Sequence, residues 1–299
     1  MLKTPVVLFI YKRSSNLEAI TKILRQIKPI CVYIIADGPK LGDEVECQKT
    51  RRRLLDLIDW PCKIHKNYTK NNLGLKDRFR TGIDWVFKHE QRAIFIEDDC
   101  IPDPTFFKFC DELLEKYKDD QRMMTISGNN FQFGQKKSSD SYYFSRYPHI
   151  WGWATWRRTW MHYDGNIIDW PARRSTNWLK EATHGFIIAK FWKYIFDRLY
   201  TDKINTWDYQ LTYASLKHHG LNIIPSVNLV SNVGYGAGST NIKRQNQTIA
   251  VPTTAMQFPL VHPRRFIADL VADRRIDDLV YLSPLGRISL FIKSILGIL

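Results

Sequence analysis

Strand-like and helix-like segments alternate four times within the first 127 residues. Val6-Val7-Leu8-Phe9-Ile10 is a continuous apolar run, the pattern of a strand buried on both faces. Ser15-Asn16-Leu17-Glu18 reads as a capping box, and the helix behind it carries Leu17, Ile20, Leu24 and Ile27 on one face. Pro29 stops that helix. A second strand, Cys31 to Ala36, ends in the turn signal Asp37-Gly38-Pro39. A polar, basic helix from about residue 43 to 58, a weak strand at Cys62 to His65, and a helix opened by Asn71-Asn72-Leu73-Gly74 follow. The strand Ala93 to Ile96 runs into Glu97-Asp98-Asp99. Pro102-Asp103-Pro104 then starts a helix with Phe106, Phe109, Leu113 and Tyr117 on one stripe, and Met123 to Ser127 is a fifth strand. This alternation implies an α/β chain: a mostly parallel, Rossmann-like central sheet flanked by helices. In such sheets ligands bind at the carboxyl ends of the strands. Lys12-Arg13, Asp37 and Glu97–Asp99 lie at three such ends and are expected to converge on one crevice.

The second half is less regular. Aromatic residues crowd between Phe131 and Trp178, and the periodicity predicts helices over His184 to Leu199 and Trp207 to His219. Leu221 to Val233 reads as a strand pair broken at Pro225, followed by a glycine-rich loop from Gly234. No internal repeat or linker divides the chain. The expected organisation is one catalytic-size domain over residues 1–250 and a C-terminal extension over 251–299.

Forty-four Lys and Arg against 30 Asp and Glu give a net charge of +14, which favours an acidic partner: nucleic acid, an anionic membrane or a phosphate-bearing substrate. The five cysteines are odd in number and form no CxxC pair, which argues against a zinc site or disulfide framework and for reduced thiols. Met1-Leu2-Lys3-Thr4 leads straight into the first strand, leaving no room for a signal peptide, and no stretch is long enough to span a bilayer. A cytoplasmic protein is expected. The apolar segment Ile288 to Leu299, with Arg287 and Lys293, suits a peripheral contact on the inner membrane face.

The acidic triplet Glu97-Asp98-Asp99 carries the most chemistry. Three adjacent carboxylates repel one another unless paired. A divalent cation resolves that conflict, and hard oxygen donors suit Mn²⁺ or Mg²⁺. The competing reading is a solvated strand end running into the Pro102 turn. No GxGxxG follows the first strand, and no GxxxxGK[ST] occurs in the chain.

These residues resemble a family, the nucleotide-sugar glycosyltransferases of the GT-A fold. The chain is similar to N-acetylglucosaminyltransferase I and to bacterial transferases acting on surface polysaccharides. The matching stretches are Val6–Arg13, Val32–Asp37, Ala93–Asp99 with Pro104-Thr105-Phe106-Phe107, Trp151–Trp156, and Trp207-Asp208 with its helix, together covering most of residues 1–240. The resemblance implies a GT-A catalytic domain and roles for individual positions. Arg13, Asp37, Arg78, Asp98, Ser239 and Thr240 would bind the donor. Asp99 would ligate the metal directly and Glu97 through water. Trp151, Gly152, Trp153 and Trp207 would meet the sugar or acceptor, and Asp208 would be the general base of an inverting reaction. One detail departs from the pattern. In galactosyltransferases a similar Trp-Gly-Trp patch runs into acids, whereas here it runs into Arg157-Arg158.

The function expected is therefore metal-dependent hexosyl or N-acetylhexosaminyl transfer from a nucleoside-diphosphate sugar, read as a UDP-sugar, to a glycan or lipid-linked hydroxyl acceptor in surface polysaccharide or glycan synthesis. Two alternatives stand beside it, a nucleotidyltransferase on a similar fold and a basic nucleic-acid-binding protein. The first would usually show a glycine-rich signature near the first strand, which Leu8-Phe9-Ile10-Tyr11-Lys12-Arg13 lacks. A basic nucleic-acid-binding protein would not need acids converging at strand ends, so no nucleic-acid partner is expected.

Overall fold

Apolar runs bounded by turn residues become the central strands of one sheet. The computed structural model describes residues 1–135, 139–234 and 251–282. Its strands are β1 (Val6–Ile10), β2 (Cys31–Ala36), β3 (Lys63–Tyr68), β4 (Arg92–Glu97), β5 (Cys100–Pro102), β6 (Met123–Ser127), β7 (Tyr142–Ser145), β8 (Trp153–Trp156), β9 (Leu221–Pro225) and β10 (Val230–Asn232). Eight of them form a sheet ordered β3-β2-β1-β4-β8-β6-β9-β7, and β5 pairs with β10 apart from it. β7 and β8 run against the other six, so the sheet is mostly parallel, as expected.

The two faces of β1 explain its unbroken apolar sequence. Successive side chains alternate across a strand. Val6, Leu8 and Ile10 enter a core shared with Leu17, Ile20 and Leu24, whereas Val7 and Phe9 enter another shared with Phe79, Ile83 and Val86. The helices that supply these residues are α1 (Leu17–Ile27) and α3 (Leu75–His89); α2 (Glu44–Leu57) adds Leu54 to the first core, and α4 (Thr105–Lys116) follows. β3 is an edge strand, half-exposed along its length, which accounts for its weak apolar pattern. Short helices α5 (Arg157–Trp160), α6 (Trp170–Arg174) and α7 (Trp178–Thr183) precede α8 (Phe186–Tyr200) and α9 (Asp208–Lys217). Helices α6 to α9 pack with α10 (Leu270–Ile276) and a π-helical turn at Asp277–Tyr281 around a third, aromatic core.

Three local expectations differ from the structure. Asn16 stands at the N-cap of α1 but caps nothing with its side chain, which donates instead to the Asp98 carbonyl at 3.0 Å. The aromatic stretch at Trp151–Trp156 contains β8, an antiparallel strand inserted between β4 and β6. Finally, β9 and β10 do not pair with each other. Asn228 turns the chain out of the sheet, accepting from the Asn130 N–H at 2.9 Å while Leu229 N–H donates to Gly128 at 2.8 Å.

The described part of the C-terminal extension, residues 251–282, is tied to this body. Met256 and Leu260 join the main core, and Asp269 N–H donates to Phe144 beside a parallel bridge between Phe144 and Ala268. Asp273, fully buried on α10, pairs with Arg146 Nε at 2.8 Å and accepts from Ser145 Oγ at 2.5 Å. The apolar segment from Ile288 lies outside the described residues. Among those described, no helix is long and apolar enough to cross a membrane.

Candidate functional site

The strand order reverses between β1 and β4, because β2 and β3 extend one way and β8 onward the other. A cavity of about 1260 Å³ opens there, lined by residues that follow β1, β2 and β4 and by the start of α9. This is where open α/β sheets bind ligands, and it is larger than the roughly 300–1,000 Å³ of most small-molecule pockets. All three polar clusters expected to converge do so: Lys12-Arg13, Asp37 and Glu97–Asp99 line it together.

The acidic end of β4 is held in place by the end of β1. Tyr11 N–H donates to Asp98 Oδ2 at 3.0 Å. Arg13 Nη1 lies 2.6 Å from Asp99 Oδ2 and 3.8 Å from Asp98 Oδ1. Burial, and then the Asp99 charge, push the Asp98 carboxyl up to about 7, against the pull of Tyr11 N–H and Arg13. Glu97 is raised well above the carboxylate range by burial, then by Asp99, Asp98 and Asp208. Asp208 therefore lies within the electrostatic reach of the triplet. Gly234 seals the other side of Asp99: a Cβ there would stand 2.2 Å from Asp99 Oδ2, so only glycine fits, and Val233 N–H donates to the Asp99 carbonyl at 2.8 Å.

Asp37 is occupied by the protein itself. Its Oδ1 accepts from Gly38 N–H at 2.9 Å, Thr69 Oγ1 at 3.0 Å and Leu73 N–H at 2.9 Å, and its Oδ2 from Gly74 N–H at 2.9 Å. A carboxylate offers about four acceptor positions, so Asp37 first of all staples the 69–74 turn beneath α3. Arg78 is buried, donates through Nη2 to the carbonyl and side chain of Asn67 at 2.5 and 2.9 Å, and leaves Nε unpartnered. Burial lowers its guanidinium to about 10.

Asp208 is the first residue of α9, with Trp207 at the N-cap position. It accepts from the Thr206 hydroxyl, and its own N–H and that of Tyr209 favour its charged form, but burial dominates and raises its carboxyl. Trp207 and Trp153 are core rings. Phe9, Phe79, Trp207, Trp153 and Phe95 stack in sequence at centroid separations of 4.0, 4.6, 5.5 and 4.7 Å. Trp153 is 2% exposed and does not line the cavity, so a sugar-facing role for its ring is corrected to a packing one. Truncating a ring of this kind typically costs about 3–5 kcal/mol. Trp151 does line the cavity and is half-buried. Gly152 has φ +60° and a Cβ there would sit 2.6 Å from Val230, so glycine is required to carry the chain between Trp151 and β8. Ser239 and Thr240 lie outside the described residues.

Among the described residues no three His, Cys, Asp or Glu side chains gather as a complete metal centre. The donors nevertheless suit a hard cation that takes its remaining ligands from a phosphate. Glu97, Asp98, Asp99 and Asp208 share one field against the Arg13 guanidinium, and Asp99 and Glu97 could hold Mn²⁺ or Mg²⁺.

Two polar residues in the cavity wall carried no sequence signal. Asn129, after β6, and His149, before β8, line the cavity, are 1% and 4% exposed, and each keeps one side-chain nitrogen without a partner. The hint available in sequence was a lone histidine inside the aromatic run Tyr147-Pro148-His149-Ile150-Trp151.

No family model matches the chain, and no curated protein does. Among solved structures it is similar to UDP-glucose pyrophosphorylase complexed with UDP-glucose, at 12% identity and a TM-score of 0.40 over 75% of this chain and 90% of that one. It is also similar to HddC from Yersinia pseudotuberculosis complexed with GMP-PN, at 9% identity and a TM-score of 0.36 over 53% and 78%. Likenesses at this level carry no functional argument, which rests on the chain's own residues.

Proposed function

We propose that the chain is a glycosyltransferase that moves a sugar from a nucleoside-diphosphate sugar, in first place a UDP-sugar, to a hydroxyl acceptor with inversion. The observation that carries this reading is the meeting of the Glu97–Asp99 acids, Arg13 and Asp208 in one cavity at the reversal of strand order. The nucleotide lies over the ends of β1 and β2. Asp37 and the 69–74 turn shape that end, with one oxygen of Asp37 free for at most a single bond to a base, and Arg78 Nε adds a donor. Asp99 and Glu97 would hold Mn²⁺ or Mg²⁺, whose charge would offset that of the leaving diphosphate. Arg13 leaves Asp99 for the phosphates, and Asp98 stays anchored by Tyr11 N–H. Asp208 takes the proton from the acceptor hydroxyl as that oxygen attacks the anomeric carbon. Its raised proton affinity makes it a better base than a solvated aspartate. The Trp153–Trp207 stack fixes the start of α9, and with it the position of Asp208.

The test is turnover of UDP-sugars with Mn²⁺ by the wild-type protein and Asp208→Asn. Release of UDP that Asp208→Asn abolishes, with UDP affinity retained, supports the reading. Formation of UTP from the UDP-sugar and pyrophosphate would instead make the chain a nucleotidyltransferase, and loss of UDP binding in Asp208→Asn would move Asp208 into the donor site.

A further inference from the structure

Asn129 and His149 are fixed toward each other by bonds that also fix their hydrogen-bonding sense. Asn129 Oδ1 accepts from Trp151 N–H at 3.2 Å, which leaves Nδ2, a donor, as its unpartnered atom. His149 N–H donates to Ser127 Oγ at 3.0 Å, and His149 Nδ1 lies 3.5 Å from the Asn129 carbonyl oxygen. A carbonyl oxygen only accepts, so Nδ1 carries the proton. Burial drops the imidazole to about 4, which keeps it neutral. Its unpartnered atom, Nε2, is then an acceptor. Native interiors rarely leave such atoms unmet, since each costs about 1–3 kcal/mol. Here a donor and an acceptor are both unmet on two residues that line one cavity; both atoms are closed to solvent, so a ligand meets them once the side chains turn outward.

The complement of that pair must both accept and donate. Carbonyl and carboxylate oxygens only accept, and an ammonium only donates. A hydroxyl does both. The neighbouring surface is aromatic: Phe131 packs on the buried His149 ring at 5.1 Å and on Trp151 at 4.9 Å, and Phe131 and Trp151 line the cavity partly exposed. We infer that Asn129 and His149, with Phe131 and Trp151, form a subsite for a polyhydroxylated ring, with Asn129 donating to one sugar oxygen and His149 accepting from a sugar hydroxyl. This assignment rests on the transferase reading of the same cavity and adds two residues that choose the sugar. The sugar is either the one transferred or the one that accepts.

Binding measurements on the full-length chain decide it. With Mn²⁺ present, calorimetry and saturation-transfer NMR are run on wild type, His149→Phe and Asn129→Asp. The probes are UDP, UDP-glucose, UDP-N-acetylglucosamine, and the methyl glycosides of glucose, galactose and mannose added with UDP. His149→Phe keeps the ring volume, and Asn129→Asp keeps the acceptor for Trp151 N–H. Both variants are expected to bind UDP as wild type does and to lose about tenfold in the sugar-dependent part of binding, the value of one hydrogen bond. Loss confined to the UDP-sugars assigns the subsite to the transferred sugar, and loss on methyl glycosides assigns it to the acceptor. Equal sugar binding in all three proteins, or a wild type that binds UDP but no sugar, overturns the inference. Failure of both variants to fold does so too, by making the pair structural. A wild type that ignores UDP yet loses methyl-glycoside contacts on substitution keeps the sugar subsite and sinks the transferase reading.

Discussion

Asp37 and His149 line the same cavity and are held in opposite ways. Asp37 receives four hydrogen bonds from its own chain, three of them from backbone N–H groups. His149, buried as deeply, keeps a ring nitrogen with no partner. The first belongs to the wall built at the ends of β1, β2 and β4, and the second to the wall built from the segments after β6 and before β8. A polar group the chain satisfies is part of the scaffold, whereas one it leaves unmet has hydrogen-bonding capacity to spare. On the proposed reading, the wall at the strand ends would position a nucleotide with atoms already committed to the fold, and the other wall would spend its spare capacity on the sugar.

The sharpest way to break this contrast is Asp208, which stands where the two walls meet. Asp208→Asn is expected to lower turnover by about 10²- to 10⁴-fold, as removal of a general base does, while leaving UDP affinity and melting temperature near wild type. Turnover within tenfold of wild type would return Asp208 to a helix-start role.

The next test probes what backs the second wall. Asp277, in the π-helical turn that brings Tyr281 to the cavity, has its carboxyl pushed up to about 7 by burial. Tyr147 and Arg146 pull it down, and Asp273 and Asp278 push it up. The folded state therefore holds a proton that the unfolded chain releases near its ordinary value of 3.8. The contribution is fully present below about 4 and is lost as pH rises through 7. Asp277→Asn should thus be more stable than wild type at pH 8, by roughly 3 kcal/mol, with the gain vanishing near pH 4. Urea denaturation at the two pH values measures it, and a pH-independent difference would show Asp277 ionised in the folded protein.

Asp37→Asn should sharpen the contrast from the other side. An amide cannot accept at both ends, so Gly74 N–H would face an NH₂ group, and the fold should lose about 2 kcal/mol. Stability unchanged, with UDP affinity reduced, would make Asp37 a ligand group rather than a staple. The smallest effect is expected for Asp99→Asn: the Mn²⁺-dependent gain in UDP affinity should shrink by about tenfold, with little change in stability because Arg13 can still bond the amide oxygen. An unchanged Mn²⁺ response would remove Asp99 from the metal.

The same contrast explains what could be read from the sequence. The strand-end wall is made of local patterns: an apolar run, then polar residues, repeated along the chain. The order β1 to β4, the helices between them and the placement of Arg13, Asp37 and Glu97–Asp99 follow from those patterns. What each polar group does there does not follow, since the four donors on Asp37 and the Arg13–Asp99 pair depend on the turn at 69–74 and on a contact 86 residues away in sequence. The other wall has almost no local signature. β8 is a strand because β4 and β6 flank it, not because Trp153-Ala154-Thr155-Trp156 alternates. Asn129 and His149 become conspicuous only when their surroundings fail to satisfy them. Trp153 misled for a related reason, since aromatic residues that face a ligand and those that fill a core are identical in sequence.

The five-ring stack beneath the cavity also makes the site optically active. Trp153 and Trp207 lie 5.5 Å apart with their planes 30° from parallel. Two indoles so close and so oriented share their electronic excitations, and a pair of that kind splits the ultraviolet circular dichroism into bands of opposite sign. Because Asp208 follows Trp207 directly, any motion of the start of α9 changes the angle between the two transition moments. The protein therefore carries a built-in reporter, readable without a label, of where the start of α9 and the Asp208 carboxyl stand.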